Sequence, residues 1–517
     1  MTGSDTGVQP GPLRLLELLA SVSLATDLGT GQPAGHALRT CTIAAALAEE
    51  LGCSADEVRV VQQFALLRFL GCTADAAETA ALVGGDDVAY NGAMAPVVMG
   101  SARELLGRHV RSVAPGGPPL ERARLVVKGL ADPKGMERSL STHCEVAGML
   151  AARAGLDAPV VEALEHAYER WDGKGFPARL EGEAIPPAVR VAVVARDADL
   201  AAALGRDPGE WVRERRGRAY DPAAADAFGR VGAEILAGLD GADEWELALA
   251  REPEPVATIG PDRLDAVLTA FADFADLKSP WIRGHSRRVA ALAEGAGRHA
   301  GLDEDVCDRL RRAGLLHDLG RVAVGNGIWD KPGPLTTSEW ERVRLHPYAT
   351  ERILARCGPL SSLVEPASSH HERLDGSGYH RGRSADALPR ECRLLAAADV
   401  YAALAAERPH RPALPDEDAA AALEAEHGLD PEAVGCVLAA AGRREAPAAP
   451  AWPGGLTHRE VEVLRLLSRG ASNREVGASL VISPKTVGRH VENLYRKIGV
   501  RSRAAAAVFA MEHGLLD

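Results

Sequence analysis

Seven side chains in the second half of the chain are of the kinds that bind divalent metal ions: His285, the adjacent pair His317-Asp318, His346, the pair His370-His371, and Asp399. Imidazoles and carboxylates with no thiolate favour Fe, Mn or similar ions over structural zinc. On the apolar stretch LRRAGLLHDLG, His317 can serve one ion while the neighbouring Asp318 carboxylate lies between two. Two ions about 3.5 to 4 Å apart activate water and neutralise charge developing on a phosphodiester, so the reaction class these residues predict is phosphate-ester hydrolysis. Singly, each residue has an ordinary structural reading: His285 as a helix cap, His346-Pro347 as a helix N-terminus, Asp399 as a hydrogen-bonded buried carboxylate. Their order favours the metal reading, as does the loop HHERLDGSG, whose Gly376 and Gly378 let His370 and His371 fold back over a site.

The elements that must position these residues are helical. Ala and Leu dominate segment after segment while aromatics make up only 4%, which favours packed helices and predicts an all-α chain. At 517 residues the chain exceeds one hydrophobic core. Proline-bearing stretches at 251–262 and 443–455 read as linkers, dividing it into 1–250, 263–442 and 456–517. The net charge of -13 is uneven: residues 456–517 carry ten Lys/Arg against six Asp/Glu, or +4, leaving -17 elsewhere, so only the tail suits a polyanion. Eight scattered cysteines with no CxxC spacing, no basic leader and no apolar run of membrane-spanning length predict a cytoplasmic protein without membrane contact.

The first two parts are copies of one another. GHALRTCTIAAALAEELG from Gly35 aligns with GHSRRVAALAEGAGRHAG from Gly284, and ALLRFLG with GLLHDLG, at an offset of 249. YERWDGKGFP from Tyr168 aligns with HERLDGSGYH from His371 at an offset of 203, so the first copy has about 46 extra residues between its middle and late motifs. Where the second copy has His317, Asp318, His370, His371 and Asp399, the first has Arg68, Phe69, Ala167, Tyr168 and Arg196, while only His36 and His143 keep ligand type. The first copy is therefore expected to be metal-free and to serve packing, sensing or pairing with the second.

With GHSRRVAALAE, LLHDLGRVAV, DKPGPLTTSEWERVRLHP, HHERLDGSGYH and AAADVYAALAAERPHR on the page, residues Asp273 to Pro412 resemble the HD-GYP branch of the HD superfamily of metal-dependent phosphohydrolases. The resemblance implies a shell for two divalent ions made by His285, His317, Asp318, His346, His370, His371 and Asp399. It implies catalytic roles for Asp318 and Arg321, and substrate contacts from Tyr379, Arg408 and Arg411. Cyclic di-GMP is the substrate it implies. The chain departs from the pattern at Arg321, where lysine is usual, at His380 in place of the signature proline, at Trp281 in place of a carboxylate, and at Ala402 in place of an aspartate. Metal binding is thus better supported by the residues than turnover.

In the tail, Thr457-x-x-Glu460 and Ser472-x-x-Glu475 are capping boxes, and Ser483-Pro484 supplies a third helix start. Val487, Val491, Leu494 and Ile498 then form an apolar stripe that leaves Lys485, Arg489 and Arg496 on the opposite face. Leu456 to Leu516 resembles the four-helix LuxR-type helix-turn-helix. That implies double-stranded DNA as partner, with Lys485, Thr486, Arg489 and His490 facing it, Arg496 and Lys497 on phosphates, and the helix from Ser502 supporting a homodimer.

The principal reading is a DNA-binding transcription regulator whose HD-GYP-like module binds, and hydrolyses, a nucleotide second messenger. The competing readings are a phosphodiesterase with an accessory DNA-binding tail, a catalytically inactive nucleotide sensor, and an inert pair of dimerisation scaffolds. An Ala/Pro/Gly tether at 443–455 transmits position better than torque, so control is expected through dimer geometry or masking of the recognition helix.

Overall fold

The computed structural model of the chain describes residues 13–97, 102–132, 134–442, 452–480 and 482–516. The described residues form helices, with one two-stranded ribbon in which Leu13–Arg14 runs antiparallel to Thr258–Ile259. The all-α expectation therefore holds. Among these residues no helix is long and apolar enough to cross a membrane.

The repeat read in the sequence is a repeat in space. Gly35 and Gly284 take left-handed φ values of 75° and 77°, which glycine adopts at little steric cost, and each opens a 15-residue helix, His36–Glu50 and His285–His299. Gly52 and Gly301, also left-handed, turn the chain into the 13-residue helices Ala55–Leu67 and Glu304–Leu316.

The first helix of each copy lies on the other copy. Leu15–Gly29 packs against the helix His346–Leu354, and Pro261–Asp276 packs against Gly135–Arg153. Ser21 donates from Oγ to the Ile353 carbonyl (3.0 Å), and Thr73 from Oγ1 to that of Phe274 (2.7 Å). The two copies thus form an internal dimer whose first helices lie in the seam, each packed on its own copy as well as on the other, and one continuous buried apolar cluster extends from Leu15 to Leu515. The stretch 251–262 contributes the second strand of the ribbon, and its Glu252 accepts from Arg14. Of the stretch 443–455, residues 443–451 lie outside the described residues.

The extra residues of the first copy form Asp87–Met94, Ala102–Ser112 and Pro119–Leu130. They are fastened to the second copy by Asp87, which accepts from Lys278 Nζ at 2.6 Å and from the Asn326 amide at 2.7 Å; both side chains of the ion pair are 1% exposed.

The C-terminal domain has the four expected helices, His458–Ser468, Asn473–Leu480, Pro484–Ile498 and Arg503–Glu512. Both capping boxes form, and Ser483 Oγ accepts from the Thr486 amide. The domain is held against the helical body through Arg503–Glu512. Arg153 donates to the Val508 carbonyl (3.0 Å) and pairs with Glu512 and Asp273, while Arg283 donates to the Ser468 carbonyl.

Removing one partner of a fully buried ion pair strands the other charge. Asp87→Ala is therefore expected to destabilise the protein by about 3–5 kcal/mol in denaturant titrations. Asp87→Leu combined with Lys278→Met should recover most of that loss.

Candidate metal centre

All the candidate ligands but Asp399 sit at or beside a helix end, where side chains converge from several directions. His285 is the first residue of His285–His299, His317 closes Glu304–Leu316, and Asp318 opens the 3-10 turn Leu319–Ala323. His346 begins His346–Leu354, His370 and His371 follow Ser361–Ser368, and Asp399 lies within Arg390–Leu404. All seven are brought together, and apart from His371 and Asp399 their side chains are at most 1% exposed.

The two oxygens of Asp318 face opposite groups of imidazoles. Its Oδ2 lies 3.5 Å from His317 Nε2 and 3.9 Å from His285 Nε2, and its Oδ1 lies 3.5 Å from His346 Nε2 and 3.7 Å from His370 Nε2. Asp399 divides in the same way, with Oδ1 3.0 Å from His285 Nε2 and 3.7 Å from His317 Nε2, and Oδ2 3.8 Å from His371 Nδ1. Two donor groups result, His285-His317-Asp399 and His346-His370-His371, with Asp318 between them.

Backbone carbonyls set the histidine tautomers. His317, His346 and His370 each donate from Nδ1 to the carbonyl three residues back, Gly314 (2.7 Å), Val343 (2.6 Å) and Ala367 (2.7 Å). That leaves each Nε2 lone pair turned to the centre, the arrangement metal-binding histidines need.

The electrostatics fit a cation. Burial lowers His285 and His346 to about 4 and His370 to about 3, and it holds His371 well below its usual value, so these four imidazoles are neutral ligands near pH 7. Burial opposes ionisation of Asp318, but Arg321 and the surrounding imidazoles outweigh it and hold the carboxyl far below the usual range. His317 differs. Its Nε2 is buried without a hydrogen-bond partner and faces two carboxylates, which push its pKa up to about 9 against the effect of burial. Two carboxylates facing this nitrogen call for a positive charge there, either a proton on Nε2 or a cation in its place, and a divalent ion suits that donor set.

Residues around the ligands hold them in place. Thr350 donates from Oγ1 to the His317 carbonyl and accepts from the Gly320 amide, both at 2.9 Å, locking the His317-Asp318 turn to the His346 helix. Asp276 accepts from the amide and hydroxyl of Ser286, fixing the start of the His285 helix. Glu372 accepts from the amides of Arg381 (2.7 Å) and Arg383 (2.8 Å), closing the loop behind His371. Glu169 closes the first copy's loop in the same way, so the repeat alignment held the signal for Glu372. Gly378 is required there, because a Cβ would meet Glu372 Cα at 2.5 Å.

Arg321 extends from Asp318 (3.1 Å) and stacks over Trp329, its guanidinium carbon 3.8 Å from the ring centroid. Tyr379 stacks on His371 with centroids 4.6 Å apart. Arg408, half-buried, donates to the Trp281 carbonyl (3.3 Å) and lies within the field of Asp399 and Asp318. Arg411 departs from expectation. Its guanidinium donates to the carbonyls of Ala403 (2.6 Å), Leu404 (3.0 Å) and Ala406 (3.4 Å), so it caps the end of Arg390–Leu404 rather than facing the cluster. His380, in the place of the signature proline, pairs with Glu351 at 3.1 Å.

The first copy has no such cluster among the described residues. His36 pairs with Asp199 (2.6 Å) and His143 with Asp75 (2.7 Å), while Arg68 and Arg196 bring guanidiniums to the positions of His317 and Asp399.

On the C-terminal domain Lys485, Thr486, Arg489 and Arg496 are exposed and His490 is half-buried. Lys497 is taken by Glu460 at 2.7 Å, so the expected phosphate contact is held within the domain instead. The expected masking falls elsewhere: the first turn of Pro484–Ile498 is open, and the helix Arg503–Glu512 is the one covered.

Residues 136–210 and 269–433 match the HD domain family, and residues 455–510 match the luxR family of bacterial regulatory proteins. The 3'3'-cGAMP-specific phosphodiesterase 3 of Vibrio cholerae is 31% identical over 427 residues, covering 81% of this chain and 92% of that protein. A cyclic di-GMP phosphodiesterase of Pseudomonas aeruginosa is 39% identical over 128 residues, 25% of this chain and 31% of the relative. The crystal structure of a cyclic GMP-AMP specific phosphodiesterase of V. cholerae superposes with a TM-score of 0.58 at 27% identity, covering 84% of this chain and 99% of that one.

Thr350→Val removes the hydrogen bonds that fix the His317-Asp318 turn and is expected to weaken metal binding about 10–100-fold, the usual cost of losing a group that supports a ligand. His317→Ala with Asp318→Ala should bring the metal content of dialysed protein, read by elemental analysis, down to background.

Proposed function

The chain belongs to the HD-domain family of phosphodiesterases and ends in a luxR-family DNA-binding domain, and on that premise we propose a transcription regulator whose second helical copy hydrolyses a 3',5'-linked cyclic dinucleotide. The observation that carries this reading is Asp318, a carboxylate set between two groups of buried imidazoles. His285, His317, Asp318 and Asp399 would hold one divalent ion and Asp318, His346, His370 and His371 a second, with Fe or Mn matching the donors. Such ions, when bound, supply Lewis acidity for the attack of water on a phosphodiester.

This chain's own groups do the rest. Arg321, rigid on Trp329, offers donors to a phosphate oxygen, and Arg408 adds a second guanidinium beside the same carboxylates. Tyr379, flat against His371, gives a base a surface to stack on. Sequence likeness extends over both copies to a relative named for 3'3'-cGAMP, which favours that dinucleotide; the shorter likeness to cyclic di-GMP enzymes keeps cyclic di-GMP as the second substrate to test. We read 1–250 as the metal-free copy, 263–442 as the catalytic copy and 456–517 as the DNA-binding part, joined by 251–262 and 443–455. The regulator would act in the cytoplasm and bind DNA as a homodimer through Lys485, Thr486, Arg489, His490 and Arg496.

Anaerobic incubation of Mn- or Fe-loaded protein with 3'3'-cGAMP and with cyclic di-GMP should yield linear dinucleotide from at least one of them. The rate should fall at least about 100-fold in Asp318→Ala. Metal bound without turnover of either would make the module a sensor. In DNA-binding assays Arg489→Ala is expected to cost about 1–3 kcal/mol and to lower the salt dependence of affinity. Unchanged binding would remove the helix Pro484–Ile498 from the interface.

A further inference from the structure

The internal two-fold relates two grooves that have met different fates. In one, bordered by Gly284 and Arg153, the helix Arg503–Glu512 is seated: Met511 and Leu516 lie against Gly284, and Arg153 grips Val508 and Glu512. The equivalent positions in the other groove are Gly35 and Arg356. There the first copy's own helix Glu244–Ala250 has moved in: Glu244 stands against Gly35, and Arg356 is paired with Asp243 and lies over the Trp245 ring. Beside it a pocket of about 590 Å3 is left between the copies, within the size range of small-molecule sites. Of the seven candidate metal ligands only His346 borders it.

Three features of its wall point to one kind of ligand. Asp27 is 1% exposed, and its Oδ2 accepts from the Ala37 amide (3.1 Å), but Oδ1 has no partner. Its counterpart Asp276 uses the same oxygen to accept from the Ser286 hydroxyl (2.7 Å), a group lost in the first copy because position 37 is alanine. A buried carboxyl oxygen without a partner is costly unless a ligand group completes its hydrogen bonding. Tyr348 and Arg352, one turn apart on the His346 helix, line the same wall. Tyr348, whose ring meets His380 edge-on, is 44% exposed as a residue, and Arg352 is exposed with no ion pair or hydrogen bond among the described residues. A planar ring with a hydrogen-bonding edge for Asp27, a face for Tyr348 and an anionic group for Arg352 is a purine nucleotide.

We infer that this pocket is a second, metal-independent binding site for a purine nucleoside monophosphate. It stands apart from the metal-centre reading, because Asp27, Tyr348 and Arg352 are not among the candidate ligands. A ligand there would brace the helix that His346 begins against the first copy, giving the metal-free copy a direct hold on the centre.

Equilibrium dialysis of the full chain with GMP and with AMP in EDTA tests it, with inorganic phosphate as the ring-free competitor. One nucleotide per chain should bind, survive Asp318→Ala, weaken at least about tenfold in Arg352→Ala, and disappear in Leu28→Trp, which fills the cavity from a partly exposed position. Circular dichroism would check that both pocket variants fold. Binding lost in Asp318→Ala but kept in Leu28→Trp would overturn the inference. So would equal competition by phosphate alone, or no binding of either nucleotide at about 1 mM. Absence of metal from the native protein would instead count against the metal centre and leave the pocket standing.

Discussion

Everything in the second copy is arranged around one carboxylate kept ionised in a place that water does not reach. Asp318 has four imidazole nitrogens within 3.9 Å and a guanidinium on one oxygen, and burial alone would neutralise it. The fold keeps it charged by bringing five helix ends to one point, each delivering a side chain at the start or finish of an element, where its direction is set by the backbone rather than by rotamer choice alone. The hydrogen bonds from Nδ1 to carbonyls three residues back serve the same purpose, since they leave each ring one nitrogen and one orientation to offer.

The first copy uses the same scaffold with that constraint lifted. Arg68 and Arg196 bring fixed charges to positions where the second copy has candidate ligands, and His36 and His143 turn to carboxylates of their own copy. What survives is what holds the shape: the left-handed glycines ahead of both paired helices, and the carboxylates of Glu169 and Glu372 that close the two loops. Because the first helix Leu15–Gly29 lies in the seam, the first copy supports the His346 helix directly.

Much of this was legible in the sequence for local reasons. Helix starts at Thr457, Ser472 and Ser483 depend on residues three apart, and the cluster depends on motifs whose order survives in the chain. Arg411 and Lys497 were misplaced because their guanidinium and ammonium groups found nearer partners, the carbonyls at a helix end and the Glu460 carboxylate, that spacing alone does not reveal. The packing of the first helices in the seam between copies and the seat of Arg503–Glu512 on Arg153 rest on contacts hundreds of residues apart, and amphipathic patterning gives a helix a buried face without saying what covers it.

The filling of one groove by Glu244–Ala250 also bears on how chains meet. A duplicated body with two equal open seats and one helix able to enter them invites head-to-tail joining, in which each chain's last helix enters its neighbour's vacant seat. A heterologous contact that does not close on itself grows into a fibre. Here one seat holds the chain's own C-terminal helix and the other is narrowed by Glu244–Ala250, so the molecule carries a built-in stop against polymerisation by that route.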